Sequence, residues 1–511
     1  MHFFFHHFAV LFHAVAWTAF AEIVHVNLTV DVLRFDVTDV PIAFTTRAYN
    51  GGIPGPVIRV KQGDQLRITL TNKLGKDKSS SSGNTFQNAN TTNIHLHGMH
   101  ISPSGMSDDI FRRVLPSETA TYVYDIPENH ATGTFWYHPH SRGSSSLQQG
   151  GGMAGALLVE PRDQFEMPKA LAAMKEQVVL LQHLCFHDYG KYQSSTPYAN
   201  HLQVSKYGLD TLPINFVNKI PSQTPDYYLA NGKLQPNVTM LPGEFRLFRL
   251  INAGTSAFLN LQVDGCDIYA IAKDGIYVGK QAYMYARKKP LLVPGSRIDL
   301  AIRCNATGFH PLASHPSTDF DSNIARSTLV YDGNILGIVV SGDPVTMSPP
   351  SNLPHLPSYL PDLQSAQVPE SSKFALKFET IGGPFSPGPP FPKMQINGKA
   401  FSDKDDFITS VQLGQTYEWT IGIAGDSNVG AGNHPFHMHV NPIQVVSVGG
   451  GGLDEVLGVK VGEYRDTIPL WQSGTFTVRF VPDTFLGRAI VHCHYVPHID
   501  LGMAAVVNIT A

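Results

Sequence analysis

His492-Cys493-His494-Tyr495-Val496-Pro497-His498, followed by Met503, places a cysteine between two histidines near the end of the chain. A third histidine stands five residues after the cysteine and a methionine ten residues after it. Cysteine, histidine and methionine form a soft ligand set that suits copper. In an extended strand, residues i and i+2 point to one face and i+1 to the other. His492 and His494 then look one way and Cys493 the opposite way. One strand serves two metal sites, with the cysteine backbone as the shortest covalent path between them. The missing ligands must come from elsewhere in the chain.

Three more His-x-His pairs supply them. They lie in His434-Pro435-Phe436-His437-Met438-His439, in Asn93-Ile94-His95-Leu96-His97-Gly98, and in Trp136-Tyr137-His138-Pro139-His140. Their placement follows a module written three times. The copies open on Asn50-Gly51, Asn231-Gly232 and Asn397-Gly398. Each continues through a strand, a glycine turn and an alternating strand, over Val60–Asn72, Met240–Asn252 and Val411–Ile421. Aligning the first and third copies matches His95/His97 with His437/His439, and His138/His140 with His492/His494. Pro139 falls where Cys493 falls. The middle copy has none of these pairs.

Short alternating strands at regular spacing predict an all-β chain of sandwiches. Three are expected, over residues 22–162, 163–345 and 346–511, the last boundary marked by seven prolines between Gly342 and Ser372. A short helix is expected over 168–177, with Pro168 near its first turn, and a loop over 310–326.

A single His-x-His pair in a chain with 23 histidines is an ordinary coincidence. Four pairs at corresponding positions in two copies are not. Eight imidazoles converging on one place are costly to bury without a metal. The leftover His434, Cys493, His498 and Met503 give two histidines, a cysteine and a long axial methionine, the blue-copper electron-transfer set. Met153 occupies the same repeat position in the first copy, so a methionine there can also be plain core. His100, His183, His187, His201, His310, His315 and His355 have no partner at metal spacing and are expected to be surface or satisfied core residues.

Composition bounds the rest. At 511 residues the chain is long enough for about three domains. Charged residues are 15%, below the ~25% of an average soluble protein, and the formal net charge of −4 gives no reason to expect nucleic acid as a partner. Residues 1–21 are apolar and end in Ala19-Phe20-Ala21, a small-x-small signature of a secretory signal peptide cleaved after Ala21. The chain is therefore expected to be secreted, without stable membrane insertion. Sequons at Asn27, Asn90, Asn237, Asn305 and Asn508 are glycosylation candidates in that setting. If Cys493 is a ligand, Cys185, Cys266 and Cys304 allow at most one disulfide. Cys266–Cys304 is the expected pair, with free buried thiols as the alternative.

At these histidine and cysteine motifs the chain resembles the three-domain multicopper oxidases of the laccase, bilirubin-oxidase and ferroxidase group, over essentially the whole length after residue 21. The resemblance implies three cupredoxin-like Greek-key sandwiches and four copper ions. His434, Cys493, His498 and Met503 would hold a type 1 copper. His95 and His437 would hold a type 2 copper. His97, His138 and His494 would hold one type 3 copper, and His140, His439 and His492 the other. It implies one-electron oxidation of phenols or aromatic amines near His498, electron transfer through Cys493 to His492 or His494, and reduction of O2 to water. A ligating Met503 implies a low potential and easily oxidised substrates. Bacterial relatives often carry Glu directly after the residue equivalent to His498; this chain has Ile499 there and Asp500 one residue on, an offset that on the expected strand reverses the side-chain direction. The family acid near the type 2 site has its counterpart in Ser107-Asp108-Asp109, so Asp108 is the candidate proton relay, with a solvated turn acid as the alternative. The expected state is a monomer. A metal oxidase acting on Fe(II) or Cu(I) is the main alternative, although no methionine-rich insert is present. A non-enzymatic copper protein ranks last, because the full ligand set is retained.

Overall fold

The computed structural model describes residues 21–37, 42–77, 84, 87–163, 167–184, 227–285, 289–316, 330–381, 393–401, 406–424, 434–450, 458–470 and 474–511. Residues 1–20 of the expected leader, together with Cys185, His187 and His201, lie outside them.

The described strands form six sheets that pack in three pairs. In the first pair, a sheet ordered Ile42–Tyr49, Ile23–Val37, Gln65–Asn72, Thr119–Asp125 faces one ordered Ile58–Lys61, Gly155–Glu160, Gly133–His138, His95–His97. One core joins them: Leu28, Leu66 and Tyr122 from the first sheet meet Ile58, Leu96, Tyr137 and Leu157 from the second. The middle pair sets Lys175–Leu184, Phe245–Asn252, Arg297–Cys304 and Cys266–Lys273 against Asn237–Met240, Gly333–Val340, Gly308–Ser314 and Leu259–Val263. The third sets Lys373–Ile381, Tyr417–Ala424 and Thr475–Phe480 against Phe407–Gln412, Ala504–Thr510, Gly487–Cys493, His434–Met438 and Thr467–Leu470. Alternation drives the pairing, as in Gln65–Asn72, whose side chains are buried at every second position. The third core centres on Trp419, fully buried and edge-on to Phe480 at 4.8 Å. Truncating such a residue costs about 3–5 kcal/mol.

The three Asn-Gly turns share one construction. Asn50, Asn231 and Asn397 lie at φ 49°, 51° and 48°, and the glycines that follow at 66°, 75° and 75°. Two successive residues at positive φ define the type I′ hairpin, which matches the right-handed twist of the flanking strands. Each asparagine side chain accepts a backbone N–H from Thr29, Leu180 or Lys377. Each donates to the carbonyl two residues earlier, on Asn27, Val178 or Ala375. Asparagine tolerates the left-handed conformation and pins the neighbouring strand at the same time.

Four expectations are corrected. The helix expected over 168–177 is one turn, Lys169–Ala172, because Lys175–Leu184 is drawn into a parallel ladder with Phe245–Asn252. Sheet pairing outweighs helix propensity there. The expected loop at 310–326 begins as strand Gly308–Ser314, paired with Gly333–Val340 across a register shift at Leu312/Ala313. Residues 317–329 lie outside the described ones. Asn90 is no glycosylation candidate, because its side chain is buried, accepts two bonds from Arg47 and donates to Gly75. Asp500 is not on a strand: Val496–Asp500 is a short helix. The Cys266–Cys304 disulfide is present, between directly opposed residues of two paired strands.

Candidate metal centre

The His-x-His pairs lie on two strand ladders of the same register. His95 stands opposite His138 in the first sandwich, and His437 opposite His492 in the third. Strand Gly487–Cys493 ends at the cysteine. His494 lies just past it, where its N–H donates to the Pro435 carbonyl at 2.6 Å. Cys493 turns to the opposite side and joins the core between the sheets, with Phe436, Met438 and Met503.

The two sandwiches bring all eight imidazoles into one buried cluster. His95 stacks on His439 with centroids 4.0 Å apart, and His97 on His437 at 3.8 Å. Exchanging the two modules swaps these stacks, so the cluster has an approximate two-fold relation. Nε2 of His492 lies 3.2 Å from Nε2 of both His140 and His439. Nδ1 of His97 lies 3.4 Å from Nε2 of His138, and the His494 ring centroid is 4.9 Å from that of His97. Nitrogens sharing one ion at ~2.0–2.1 Å stand about 3.3–3.6 Å apart at tetrahedral to trigonal angles. Ligand atoms of His140, His439 and His492 are mutually within 4.8 Å, as are those of His95, His437 and His439.

Four of the rings are aimed by their other nitrogen. His95 Nδ1 lies 2.8 Å from Asp108 Oδ2, and Asp108 Oδ1 accepts the Leu96 N–H. His437 Nδ1 donates to the Asp466 carbonyl, His138 Nδ1 to Pro139, and His492 Nδ1 to Cys493. Among the described residues, Nε2 of His95 and His437 and both nitrogens of His494 have no hydrogen-bond partner, although buried. Buried polar atoms left in this way cost free energy unless something occupies the space they face. Burial first, and neighbouring imidazoles second, push His95, His97, His138, His439 and His492 well below the ordinary histidine value. Burial lowers His140 to about 4. Neutral rings are the form that ligates a cation. The residues therefore fit a metal cluster.

A second group lies on the other side of Cys493. Its Sγ is 3.4 Å from His434 Nδ1 and 3.5 Å from His498 Nδ1, and the two nitrogens are 3.2 Å apart. Burial pushes the thiol up and lowers His434 to about 3. The Tyr495 N–H donates to the sulfur. Met503 is fully buried in the same core. Its carbonyl accepts from Cys493 and its N–H donates to His498, which closes the loop around the three ligand atoms. Met153 is buried in the first sandwich's core.

Asp108 is buried, not a solvated turn acid, and burial raises it to about 8. Asp500 is buried too, raised by burial to about 6, and accepts from Gly143 N–H, Ser146 N–H and Ser146 Oγ. It ties the His498 helix to the loop after His140. Of the histidines given no role, His100 is a satisfied core residue, on Asp483 and Val440 and stacked on Tyr359. Asp466, Thr467 and Trp136 also line the cluster, and no metal-ligand spacing marks them in the sequence. Thr467 Oγ1 lies 3.3 Å from His97 and 3.2 Å from His437, and Trp136 stacks on His138 at 4.3 Å. The only signal for Asp466 was an Arg-Asp pair inside a run that ends in apolar strand. A cavity of about 260 Å³ reaches the cluster at His140 and is lined also by Ile110, Phe111, Arg142, Phe401 and Ile499.

Two family models, each described as multicopper oxidase, match residues 38–164 and 361–511, together more than half of the chain. The protein belongs to the multicopper oxidase family, and copper is the metal its members bind. The chain is 24% identical over 482 residues to the multicopper oxidase mco of Staphylococcus aureus, covering 91% of this chain and 84% of that one. It is 22% identical over 503 residues to a laccase of Bacillus subtilis (strain 168), covering 90% of each. A solved Campylobacter jejuni multicopper oxidase, described as a metallo-oxidase, superposes with a TM-score of 0.69 at 23% identity, over 96% of this chain and 92% of that one. The fold is thus the three-domain cupredoxin architecture. Among the described residues no helix is long and apolar enough to cross a membrane.

Proposed function

We propose that the protein is a laccase-like oxidase of phenols and aromatic amines that reduces O2 to water, binds four copper ions, and acts as a secreted monomer. The observation that carries the reading is the shared strand end. Cys493, beside His434 and His498, is flanked in sequence by His492 and His494 of the eight-histidine cluster. His434, Cys493, His498 and Met503 would hold the type 1 ion, His95 and His437 the type 2 ion. His97, His138 and His494 would hold one type 3 ion, and His140, His439 and His492 the other. Bound copper supplies one-electron redox chemistry at the first site and O2 binding at the cluster. His498, only 7% exposed, would be the nearest ligand edge for an electron donor at the surface. The covalent path from Cys493 to His492 and His494 would carry electrons inward. Asp108 would orient His95 and hold the proton that water formation needs. The cavity at His140 would admit O2 and keep the organic donor apart from it.

A metal-ion oxidase is the second reading, favoured by the fold's likeness to the Campylobacter metallo-oxidase. Oxygen uptake with a diphenol, an aromatic amine, Fe(II) and Cu(I) separates the two. Turnover on the organic donors well above that on either ion is expected, and the reverse ranking rejects the laccase-like reading.

A further inference from the structure

The middle sandwich carries none of the His-x-His pairs, yet it reaches the cluster. Arg297, on the middle strand Arg297–Cys304, is fully buried. Its Nη1 and Nη2 donate to the two carboxylate oxygens of Asp466 in the third sandwich, at 2.8 and 2.6 Å. Its Nε donates to the Thr134 carbonyl in the first, four residues before His138, and its own N–H donates to Asp274. One guanidinium therefore contacts all three sandwiches.

Asp466 is the part that touches the cluster. Its Oδ1 is 3.4 Å from His97 Nε2 and 3.6 Å from His437 Nδ1, its carbonyl accepts from His437 Nδ1, and it accepts the Thr467 hydroxyl. The same Thr467 oxygen lies beside both rings. Asp274, also from the middle sandwich, accepts from Arg465 Nε and the Thr467 N–H, fixing both neighbours of Asp466. Close approach is built into the backbone. A Cβ at Gly98, which follows His97, would fall 2.1 Å from Arg297 Nη2, and one at Gly295 would fall 2.6 Å from the His494 ring.

We infer that Arg297 is a positioning residue for the histidine cluster: the middle sandwich aims His97 and His437, which belong to different sandwiches, through the Arg297–Asp466 fork. The inference rests on the copper-cluster reading above. Arginine suits the role because its planar fork meets a carboxylate at two points, which a lysine cannot reproduce. Partners that orient metal ligands are worth about 10–100-fold in metal affinity.

The test uses full-length copper-loaded protein carrying Arg297→Lys, Asp466→Asn or, as a control, Arg303→Lys. Arg303, on the same strand as Arg297 and away from the cluster, donates Nε and Nη2 to Oδ2 of Asp267. Copper release to a chelator is followed by total copper and, separately, by the blue absorption of the Cys493 site. Both cluster variants are expected to release non-blue copper about 10–100-fold faster than the parent. Their blue absorption should decay at the parental rate, and Arg303→Lys should match the parent in both. Parental release of non-blue copper in Arg297→Lys, or equal acceleration of both copper populations, overturns the inference. A parent that holds copper only at the blue site overturns the cluster reading and the inference together.

Discussion

Asp108→Asn replaces a titratable carboxyl by an amide of nearly the same shape, and its effect on the ionised form can be worked out from two contacts. Asp108 Oδ1 accepts the Leu96 N–H at 3.0 Å, and Oδ2 faces His95 Nδ1 at 2.8 Å. A carboxylate accepts at both ends, whereas an asparagine amide has one acceptor oxygen and one donor nitrogen. If the amide oxygen stays with Leu96, its NH2 faces His95 Nδ1. The His95 proton must then move to Nε2, the atom now unpartnered and free to ligate. If the amide turns over, a buried backbone N–H is orphaned at a cost of about 1–3 kcal/mol. In the first arrangement the ring loses Nε2 as its ligand atom; in the second it keeps that atom, and the orphaned Leu96 N–H carries the cost. A 10–100-fold loss of affinity at that ion, about 1.4–2.7 kcal/mol, is expected. Copper titration by equilibrium dialysis measures the loss, and oxygen uptake across pH measures the relay. The variant should bind one copper more weakly and turn over slowly, with a pH profile that differs from the parent's. Parental copper affinity together with a parental rate and pH profile would refute both the orienting and the proton-holding roles of Asp108.

Two further outcomes are expected. The copper-free protein should be acid-labile. Burial depresses the folded-state values of the site histidines, His434 to about 3 and His140 to about 4, against an ordinary 6.5. A depressed histidine contributes stability above its unfolded value and loses it as pH falls through the folded one, so thermal midpoints should drop between about pH 6.5 and 3. Asp108, raised to about 8, acts in the other direction. Its contribution is present below the ordinary 3.8 and is lost as pH rises to about 8, so the copper-free optimum should lie near neutrality and fall on its alkaline side. Ile110→Trp, which fills the cavity at His140, should raise the KM for O2 severalfold without changing the blue absorption; an unchanged KM would show that O2 enters elsewhere.

The sequence carried much of this site because its ligands obey a local rule twice. A His-x-His spacing on a strand, repeated in two copies, implies one register in both, and His95–His138 and His437–His492 are paired in that register. The Asn-Gly turns were legible for the same reason, since few residue pairs hold positive φ twice in succession. What escaped was long-range. The Arg297–Asp466 fork spans 169 residues, and neither residue has a spacing that announces the other. Asp108 is legible only through the family resemblance, and only its burial distinguishes it from an ordinary turn acid. Strand alternation continued past Cys493 puts Asp500 on a strand, whereas Pro497 starts a helical turn there. Local propensity over 168–177 favours a helix because it cannot see a parallel partner 71 residues away.

Copper-loaded protein oxidising a simple diphenol in a closed oxygen-electrode cell, with product and peroxide quantified together, bears most directly on the proposed chemistry. An eight-histidine cluster fed one electron at a time through Cys493 should consume one O2 for every four electrons withdrawn from the donor and release no hydrogen peroxide. A ratio of two electrons per O2 with matching peroxide, or diphenol oxidation that persists after Cys493→Ser, would contradict it.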